Sequence, residues 1–454
     1  MFEPEEFKGG RALVIGAGKS GAACANLLAS RGFDVLLTEQ KKASEVKDRL
    51  KGLSRKVKAE TGGHSKAVFG CAFAVKSPGL PRTAPLVKAL LQKNIPVFSE
   101  IDVSLAFSAG TLLAVTGTNG KTTTTVLLGE LMNAALKRRG RRAIVCGNVG
   151  IPAAAAAPKA RRGDAVVMEL SSYQLEDSAP PKAAASCLLN ITPDHIDHHG
   201  SMAAYVEAKA RVFTGQAPDA CCVFNYEDEY CRSLAKTCPS RALFFSSARR
   251  GGKLNAWAQD GKLFFRAGKA AFSVKPPALP GAHNLENAMC AGLMALNCGA
   301  SRADLAGVFA SFKGVEHRIE DAGSARGVRF VNDSKATNVD STLVALKALG
   351  GRRNIWLILG GLDKGNPYAP LLPFIRRDVK AVLTIGAAAP KIEAELAGSC
   401  PVITSLTMEN ACRNALQLAE KGDIVLFSPA CASFDQFKDF EDRGRKFKAL
   451  VKKL

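Results

Sequence analysis

The chain is poor in aromatic residues, has no cysteine pair at metal-ligand spacing and contains no long apolar run. Aromatics make up 7% of its 454 residues, with two tryptophans and five tyrosines. That supply is thin for the stacking platforms on which single-stranded nucleic acid lies. Thirteen cysteines are present, yet none stands as C-x-x-C, and the adjacent Cys221–Cys222 suits neither a disulfide nor a zinc knuckle. Free, buried thiols in a reducing compartment are expected instead. No stretch approaches the roughly 18 uninterrupted apolar residues of a membrane span. The acidic opening MFEPEEFKGG also lacks the apolar core of a secretory leader. A cytoplasmic protein with no membrane span is the expectation. Tandem repeats and low-complexity linkers are missing too, which points to domains joined tightly enough to hinge over a shared cleft.

Acidic residues are in short supply. Forty-one Asp and Glu face sixty-two Lys and Arg, for a formal charge of +21. Such a field favours polyanions: nucleic acid, anionic lipid or phosphorylated metabolites. The densest cluster, Lys137–Arg142 (KRRGRR), has no interleaved aromatic, so a nucleic-acid partner is not expected. The charge reads as a solvated surface that steers anionic substrates inward. A hydrophobic fraction of 47% supplies ample core, and the length suggests three domains at ~150 residues each.

Apolar runs alternate with amphipathic stretches, the pattern of parallel α/β units. Arg11–Ile15 reads as a strand, Ser20–Arg31 as a helix and Asp34–Thr38 as the next strand. A second region begins with strand Leu112–Val115 and a helix from Lys121, followed by strands Ala165–Glu169 and Cys187–Ile191. Between Arg241 and Val274 the pattern shortens, with Asp260–Gly261 turning a hairpin between Asn255–Ala258 and Leu263–Arg266. Gly281 opens a helical stretch. Beyond a boundary near Gly314 a third region has strands Arg329–Val331, Ile355–Leu359, Ala381–Ile385 and Ile424–Phe427. The expected fold is α/β in three domains: a Rossmann-like 1–106, a central P-loop ATPase-like 107–314 with a mostly parallel sheet and short β hairpins, and a Rossmann-like 315–454.

The most informative stretch is LLAVTGTNGKTTTT, Leu112–Thr125. A hydrophobic strand ends in a glycine-turned loop, and Lys121 and Thr122 open a helix. Backbone N–H groups of such a loop, with the helix N-terminus behind them, cradle phosphate oxygens. The lysine adds a mobile charge and the hydroxyl beside it can hold Mg²⁺. Val115 stands where the full motif has a glycine, and Gly117 is the earlier turn glycine, so the loop is a shortened one.

A second glycine loop, Gly16, Gly18 and Gly21, with Glu39 ending the following strand, matches the dinucleotide fingerprint. It makes an NAD(P)-dependent oxidoreductase the rival reading, although any nucleotide diphosphate would satisfy the loop. Glu169, in ELSSYQ after a buried strand, is placed to complete a Mg²⁺ shell; a helix cap by Ser171 or Ser172 is the other reading. Asp194-His-Ile-Asp-His-His199 is the densest polar cluster, read as a Mg²⁺ or phosphate site using one imidazole, as a hydrolytic transition-metal centre, or as a bonded loop. Lys209 alone looks like a surface lysine on a helix. Asp333-Ser-Lys335-Ala-Thr337-Asn338 and Ser428–Asp435, which includes Ser433 and Phe434, follow apolar strands and offer hydroxyls and charge for amino-acid recognition; either could equally be a turn.

In order and spacing, GAGKSG, KSPG, VTGTNGKTTT, CGNVGIP, MELSSYQLE, LNITPDHIDHH, YVEAKARVF, GAHNLENA, EHRIE, NDSKATN, GGLDKG and SPACASFDQFKDFEDRG resemble the Mur ligase family over nearly the whole chain. The resemblance implies ATP-dependent ligation of D-glutamate to UDP-N-acetylmuramoyl-L-alanine through an acyl phosphate, a step of peptidoglycan precursor synthesis carried out by a monomer. It implies ATP on Gly117, Thr118, Asn119, Gly120, Lys121, Thr122 and Thr123, with Asn284 and Asn287 towards adenine and Arg318 and Asp333 towards ribose and phosphates. Two Mg²⁺ ions would be held by Thr122, Glu169, His195 and a CO₂-derived carbamate on Lys209, and Lys121, Glu169, His195 and Lys209 would form the catalytic set. The UDP-substrate would lie on Gly16, Gly18, Lys19, Ser20, Gly21, Ser77, Pro78 and Gly79, with Asn148 facing the muramoyl-alanine part. Lys335, Thr337, Lys364, Ser433, Phe434 and Phe440 would grip D-glutamate.

Overall fold

The computed structural model describes residues 1–267, 270–363, 365 and 367–454. Among them twenty strands form three sheets. The first contains β1 (Arg11–Ile15), β2 (Asp34–Glu39), β3 (Val57–Thr61), β4 (Phe73–Lys76) and β5 (Val97–Ser99), all parallel, in the order β3-β2-β1-β4-β5. Strand order reverses beside β1, and such a switch point opens a crevice at the carboxyl ends of the strands. The following helix runs Lys19–Ser30, one residue earlier at each end than its sequence suggests.

The second sheet comprises β6 (Thr111–Thr116), β7 (Ala143–Gly147), β8 (Ala165–Glu169), β9 (Ala185–Leu188), β10 (Cys221–Asn225), β11 (Arg241–Ser246), β12 (Ala256–Gln259), β13 (Lys262–Ala267) and β14 (Ala270–Val274). Their order is β14-β13-β12-β11-β10-β9-β6-β8-β7. Pairing is parallel from β7 across to β12 and antiparallel through β12, β13 and β14. Asp260 (φ +48°) and Gly261 (φ +69°) make the expected tight hairpin turn. β6 lies between β8 and β9, with Val115 level with Glu169, so the phosphate loop emerges beside that carboxylate. The strand expected over Cys187–Ile191 ends at Leu188. Beyond it the chain turns to serve the loop: Asn190 O accepts from Thr118 N at 2.9 Å, and its side-chain oxygen accepts from Asn119 N at 2.8 Å.

These two sheets belong to one compact unit, Met1–Ala278 with His283–Phe312. Lys76 at the end of β4 pairs with Asp177 on the helix Ser172–Asp177, and Ala154 N donates to Glu100 at 2.7 Å. Buried polar contacts of this kind fix the carboxyl end of the first sheet against the second, because a buried charge without its partner is costly.

The other unit, Leu279–Ala282 with Lys313–Leu454, carries β15 (Glu320–Ala325), β16 (Val328–Asn332), β17 (Ile355–Gly360), β18 (Val379–Ile385), β19 (Val402–Leu406) and β20 (Ile424–Phe427). The order is β15-β16-β20-β17-β18-β19, parallel except for β15 against β16. Successive residues supply opposite cores: Val331, Leu357, Val382 and Leu426 face one, Phe330, Ile358, Leu383 and Val425 the other. Burial on both faces is why these strands read as continuous apolar runs. Among the described residues no helix is long and apolar enough to cross a membrane, and all thirteen cysteines are free thiols.

Candidate active site

The phosphate loop is shaped by two glycines and a buried collar. Gly117 has φ +151° and Gly120 φ +84°, the latter as the cap residue of helix Lys121–Lys137. A Cβ on Gly120 would strike Asn287 Oδ1, which also accepts from Thr124 Oγ1 at 3.2 Å. Asn287 Nδ2 in turn reaches Asn284 Oδ1 at 3.2 Å, so both asparagines of the helix Ala282–Asn297 stand behind the loop. Thr118 Oγ1 lies 3.0 Å from Tyr205 OH and 3.2 Å from Thr192 O. Thr122 and Thr123 are buried at the start of the helix. These contacts hold the helix N-terminus in a phosphate-binding attitude.

Two ammonium groups converge on one carbonyl. Lys121 Nζ donates to Gly117 O at 2.9 Å and Thr118 O at 2.7 Å, while Lys209 Nζ donates to Gly117 O at 2.8 Å. Lys209 is 2% exposed. It is no surface lysine: burial, then the charge of Lys121, hold its pKa well below the ordinary lysine value. A pocket with two such cations is built for a polyanion.

Glu169 is buried beside them at the end of β8. Its Oε1 accepts from Asn148 Nδ2 at 2.9 Å, whereas its buried Oε2 has no hydrogen-bond partner among the described residues. An orphaned carboxylate oxygen is expensive to bury without a cation. His195, at φ +55°, heads the short helix Ile196–His199; its Nδ1 lies 3.3 Å from Tyr173 OH and its Nε2 3.4 Å from Asp194 Oδ2. Burial lowers the His195 pKa, keeping the imidazole neutral and available as a ligand. An unsatisfied, buried carboxylate oxygen fits a hard divalent cation such as Mg²⁺, which takes oxygen donors. A cleft of about 350 Å³ collects Pro78, Gly79, Lys121, Asn148, Ser171, Ser172, Tyr173, Asp194, His195, Tyr205 and Lys209. Residues from the ends of both sheets of this unit thus share one space.

In the first glycine loop, Gly16 has φ +97°, and a Cβ on Gly21 would collide with Gly16 O. Ser77 Oγ donates to Ile15 O at 2.9 Å, tying the 77–79 turn to the end of β1. Lys19 is exposed and Ser20 half-buried at the helix start. Glu39 departs from the dinucleotide pattern. Its two oxygens accept from Ala17 N at 2.7 Å and Lys41 N at 3.0 Å, so it braces the loop itself.

In the second unit, Asp333 ends β16 and is buried. Its Oδ2 accepts from Ser428 Oγ at 2.7 Å and its Oδ1 from Ile319 N at 3.2 Å, and burial pushes its pKa up to about 6. Arg318 lies near enough to act on that charge, and its buried Nε has no partner among the described residues. The structure therefore brings Asp333 and Arg318 together. Lys335 Nζ stands 5.7 Å over the ring of Phe440, whose carbonyl accepts from Ser334 Oγ at 2.9 Å. Thr337 is half-buried before the helix Val339–Leu349, Ser433 is buried, and Phe434 is 68% exposed. Lys364 lies outside the described residues.

Several residues escaped the sequence reading. Arg443 is fully buried and donates to Ser334 Oγ at 3.0 Å, Ser334 O at 2.8 Å and Cys431 O at 3.1 Å, tying the 334 and 431 loops together. Asn190, Tyr173 and Tyr205 shape the phosphate pocket, and Lys76 pairs with Asp177. Most lie within the family-like stretches, but no residue-type or spacing signal gave them a role, and their contacts appear only once the strands are assembled.

Two glycine loops at the ends of parallel sheets, with paired lysines and an unsatisfied carboxylate, define a nucleotide-phosphate-binding α/β protein. Comparison with known proteins narrows the class. The family descriptions "Mur ligase MurD-like, N-terminal domain", "Mur ligase middle domain" and "Mur ligase, glutamate ligase domain" match residues 10–99, 115–295 and 317–431. The UDP-N-acetylmuramoylalanine–D-glutamate ligase of Elusimicrobium minutum is 44% identical over 459 residues, covering 100% of both chains. Its counterpart from Koribacter versatilis is 40% identical over 99% of this chain and 98% of its own. Among solved structures, the UDP-N-acetylmuramate-alanine ligase of Thermotoga maritima superposes with a TM-score of 0.63 at 18% identity, over 98% of this chain and 99% of that one. A pseudomurein peptide ligase from Methanothermus fervidus gives 0.60 at 17% identity over the same shares. The chain belongs to the Mur ligase family. The oxidoreductase reading finds no support in these relatives, and Glu39 has a role in bracing its own loop.

Proposed function

We propose that this protein joins D-glutamate to UDP-N-acetylmuramoyl-L-alanine at the expense of ATP, as a monomer in the cytoplasm, with working domains 1–106, 107–314 and 315–454. The observation that carries the reading is the cleft shared by Pro78 and Gly79 with Lys121, His195 and Lys209. In this reading the UDP-linked acid lies beside the triphosphate. The name borne by the relatives of 44% and 40% identity supports the choice of amino acid and acceptor.

A carboxylate is a poor acyl donor, so the alanine carboxylate first takes the γ-phosphoryl of ATP. Lys121 swings from the Gly117 and Thr118 carbonyls onto the phosphates, and the amides of Gly117–Thr123 hold their oxygens as charge develops. Asn284 and Asn287 lie towards adenine, and Asp333 with Arg318 takes the ribose and phosphates. Thr122, Glu169, His195 and a carbamate on Lys209 would hold two Mg²⁺ ions, which supply charge neutralisation to the triphosphate. The depressed pKa of Lys209 eases loss of its ammonium proton, and the amine nitrogen so formed can add to CO₂, forming an N–C bond and releasing a proton. Gly16, Gly18, Lys19, Ser20, Gly21, Ser77, Pro78 and Gly79 carry the uridine diphosphate, and Asn148 orients the muramoyl-alanine part. Lys335, Thr337, Lys364, Ser433, Phe434 and Phe440 hold D-glutamate, whose amine attacks the acyl phosphate and expels phosphate.

The test is phosphate release from ATP with UDP-N-acetylmuramoyl-L-alanine and Mg²⁺, with and without D-glutamate, and mass analysis of the product. D-glutamate-dependent ADP formation and a new amide are expected. Absence of that amide with all three substrates present refutes the reading.

A further inference from the structure

Behind the ring of Tyr173, outside the phosphate pocket, three side chains converge. Glu176 lies on the helix Ser172–Asp177, and His198 and His199 on the helix Ile196–His199. His198 Nε2 is 2.8 Å and His199 Nδ1 3.7 Å from Glu176 Oε2, and one ligand atom from each residue lies within 4.8 Å of the others. The His199 side chain is 1% exposed, and its Nδ1 is buried with no hydrogen-bond partner among the described residues. Its other nitrogen, Nε2, lies 3.0 Å from Ser172 Oγ. With the proton placed on Nε2, where the serine accepts it, the Nδ1 lone pair faces a carboxylate with nothing between them. Two electron-rich atoms so disposed call for a cation.

We propose that Glu176, His198 and His199 form a binding site for a borderline transition-metal dication of the Zn²⁺ type, separate from the catalytic Mg²⁺ site. Two imidazoles and one carboxylate are the donors such ions select, whereas Mg²⁺ and Ca²⁺ take oxygen. Tetrahedral bonds of about 2.0–2.1 Å set neighbouring donors roughly 3.3 Å apart, and the 2.8 and 3.7 Å separations bracket that value. Ser172 supplies the outer hydrogen bond that fixes a metal-binding histidine. The half-exposed Glu176 side leaves a coordination position for water or an exogenous ligand. The Tyr173 ring, 4.1 Å from the His198 ring and 5.0 Å from that of His195, partitions this cluster from the cleft. A bound ion would pin the segment that begins at His195 to the helix Ser172–Asp177, tying occupancy here to the order of the neighbouring site.

The experiment uses the full chain, freed of metal with a chelator and then kept in excess Mg²⁺. Zn²⁺ affinity is read by competition with a chromophoric chelator, and the thermal midpoint is followed with and without Zn²⁺. Wild-type protein should bind one high-affinity equivalent and melt at higher temperature with it. His198→Arg, which keeps an ion pair with Glu176, and Glu176→Gln should each weaken that equivalent by at least about tenfold and abolish the thermal shift, while unfolding normally without zinc. Glu169→Gln should leave it in place. Unchanged zinc affinity in His198→Arg and Glu176→Gln overturns the proposal, and so does loss of the equivalent in Glu169→Gln, which would put the ion in the catalytic centre. The outcome does not depend on whether the ligase reaction is assigned correctly.

Discussion

Replacing Lys209 with methionine should separate stability from activity. The ammonium is buried, donates to Gly117 O at 2.8 Å and sits 4.7 Å from the centre of the Tyr205 ring. Its removal would not orphan the carbonyl, because Lys121 Nζ also donates to Gly117 O, at 2.9 Å. Losing one charge-assisted hydrogen bond costs about 1.5–3 kcal/mol. Against this stands relief from burying an ammonium, worth several kcal/mol for an ion in an interior, and from repulsion by Lys121. Methionine follows the lysine chain as far as Cε and leaves out the charge. The balance is a variant as stable as wild type or up to about 2 kcal/mol more stable. The pH dependence has a definite sign. The unfolded lysine keeps its proton to about 10.5, whereas the native one loses it at a much lower pH. Between those limits the unfolded chain binds more protons, so wild-type stability rises with pH. The variant's advantage, measured by denaturant titration in CO₂-free buffer, should therefore shrink as pH climbs towards the ordinary lysine value. Ligase activity with CO₂ present should fall by at least about 10²-fold, the scale of losing one preorganised charged group at a phosphoryl-transfer centre. A variant both inactive and destabilised would make Lys209 a structural pillar and refute the argument. A stable, active variant would remove it from the chemistry altogether.

Burial pushes Glu100 from 4.5 up to about 7, so between those values the native state holds a proton that the unfolded chain has lost. Stability should accordingly fall as pH rises through that window, by up to roughly 3 kcal/mol, and Glu100→Gln should flatten the slope in denaturant titrations at stepped pH. Lys19 is exposed on the first turn of its helix, and Lys19→Ala should weaken binding of the UDP-linked substrate by up to about fivefold, the worth of one solvent-exposed ion pair. Calorimetric titration giving an unchanged affinity would take Lys19 out of the diphosphate site.

The parts of the fold legible in the sequence are those with an internal reason to be what they are. β1, β6, β8, β17 and β20 are apolar runs buried on both faces, and each stops where polar or glycine residues begin. The edge strands are different. β3 reads VKAET and β15 EDAGSA, with most side chains exposed or half-exposed, and only the ladder of a neighbouring strand makes them strands. The site divides the same way. Gly117, Gly120, Lys121 and Glu169 carry local signals, a turn glycine, a helix start or a carboxylate ending a buried strand. Lys209 has none, since its hydrogen-bond partner Gly117 and the Lys121 charge that helps depress its pKa lie 92 and 88 residues away. The same holds for Lys76 and Asp177, a buried ion pair between residues 101 positions apart.

The two glycine loops show why a fingerprint can be present without its usual meaning. What G-x-G-x-x-G encodes is steric: a turn at Gly16 with φ +97°, and close passage of Gly21 over Gly16 O that no side chain would allow. Those requirements follow from joining a strand to a helix with its N-terminus open to a diphosphate, whatever that diphosphate is attached to. Dinucleotide specificity comes from the acidic residue on the second strand, which must keep its carboxylate for ribose hydroxyls. Here Glu39 is in the right position but accepts from Ala17 N and Lys41 N, one on each oxygen. A carboxylate that already accepts two backbone bonds is held against its own loop, which accounts for its position without a ribose. The second loop meets the same steric demand with Gly117 and Gly120 but lines it with Lys121 and Lys209, cations that no hydride transfer requires. The shape of each loop is thus common property of nucleotide-binding folds, and the charge placed against it decides which phosphate chemistry follows.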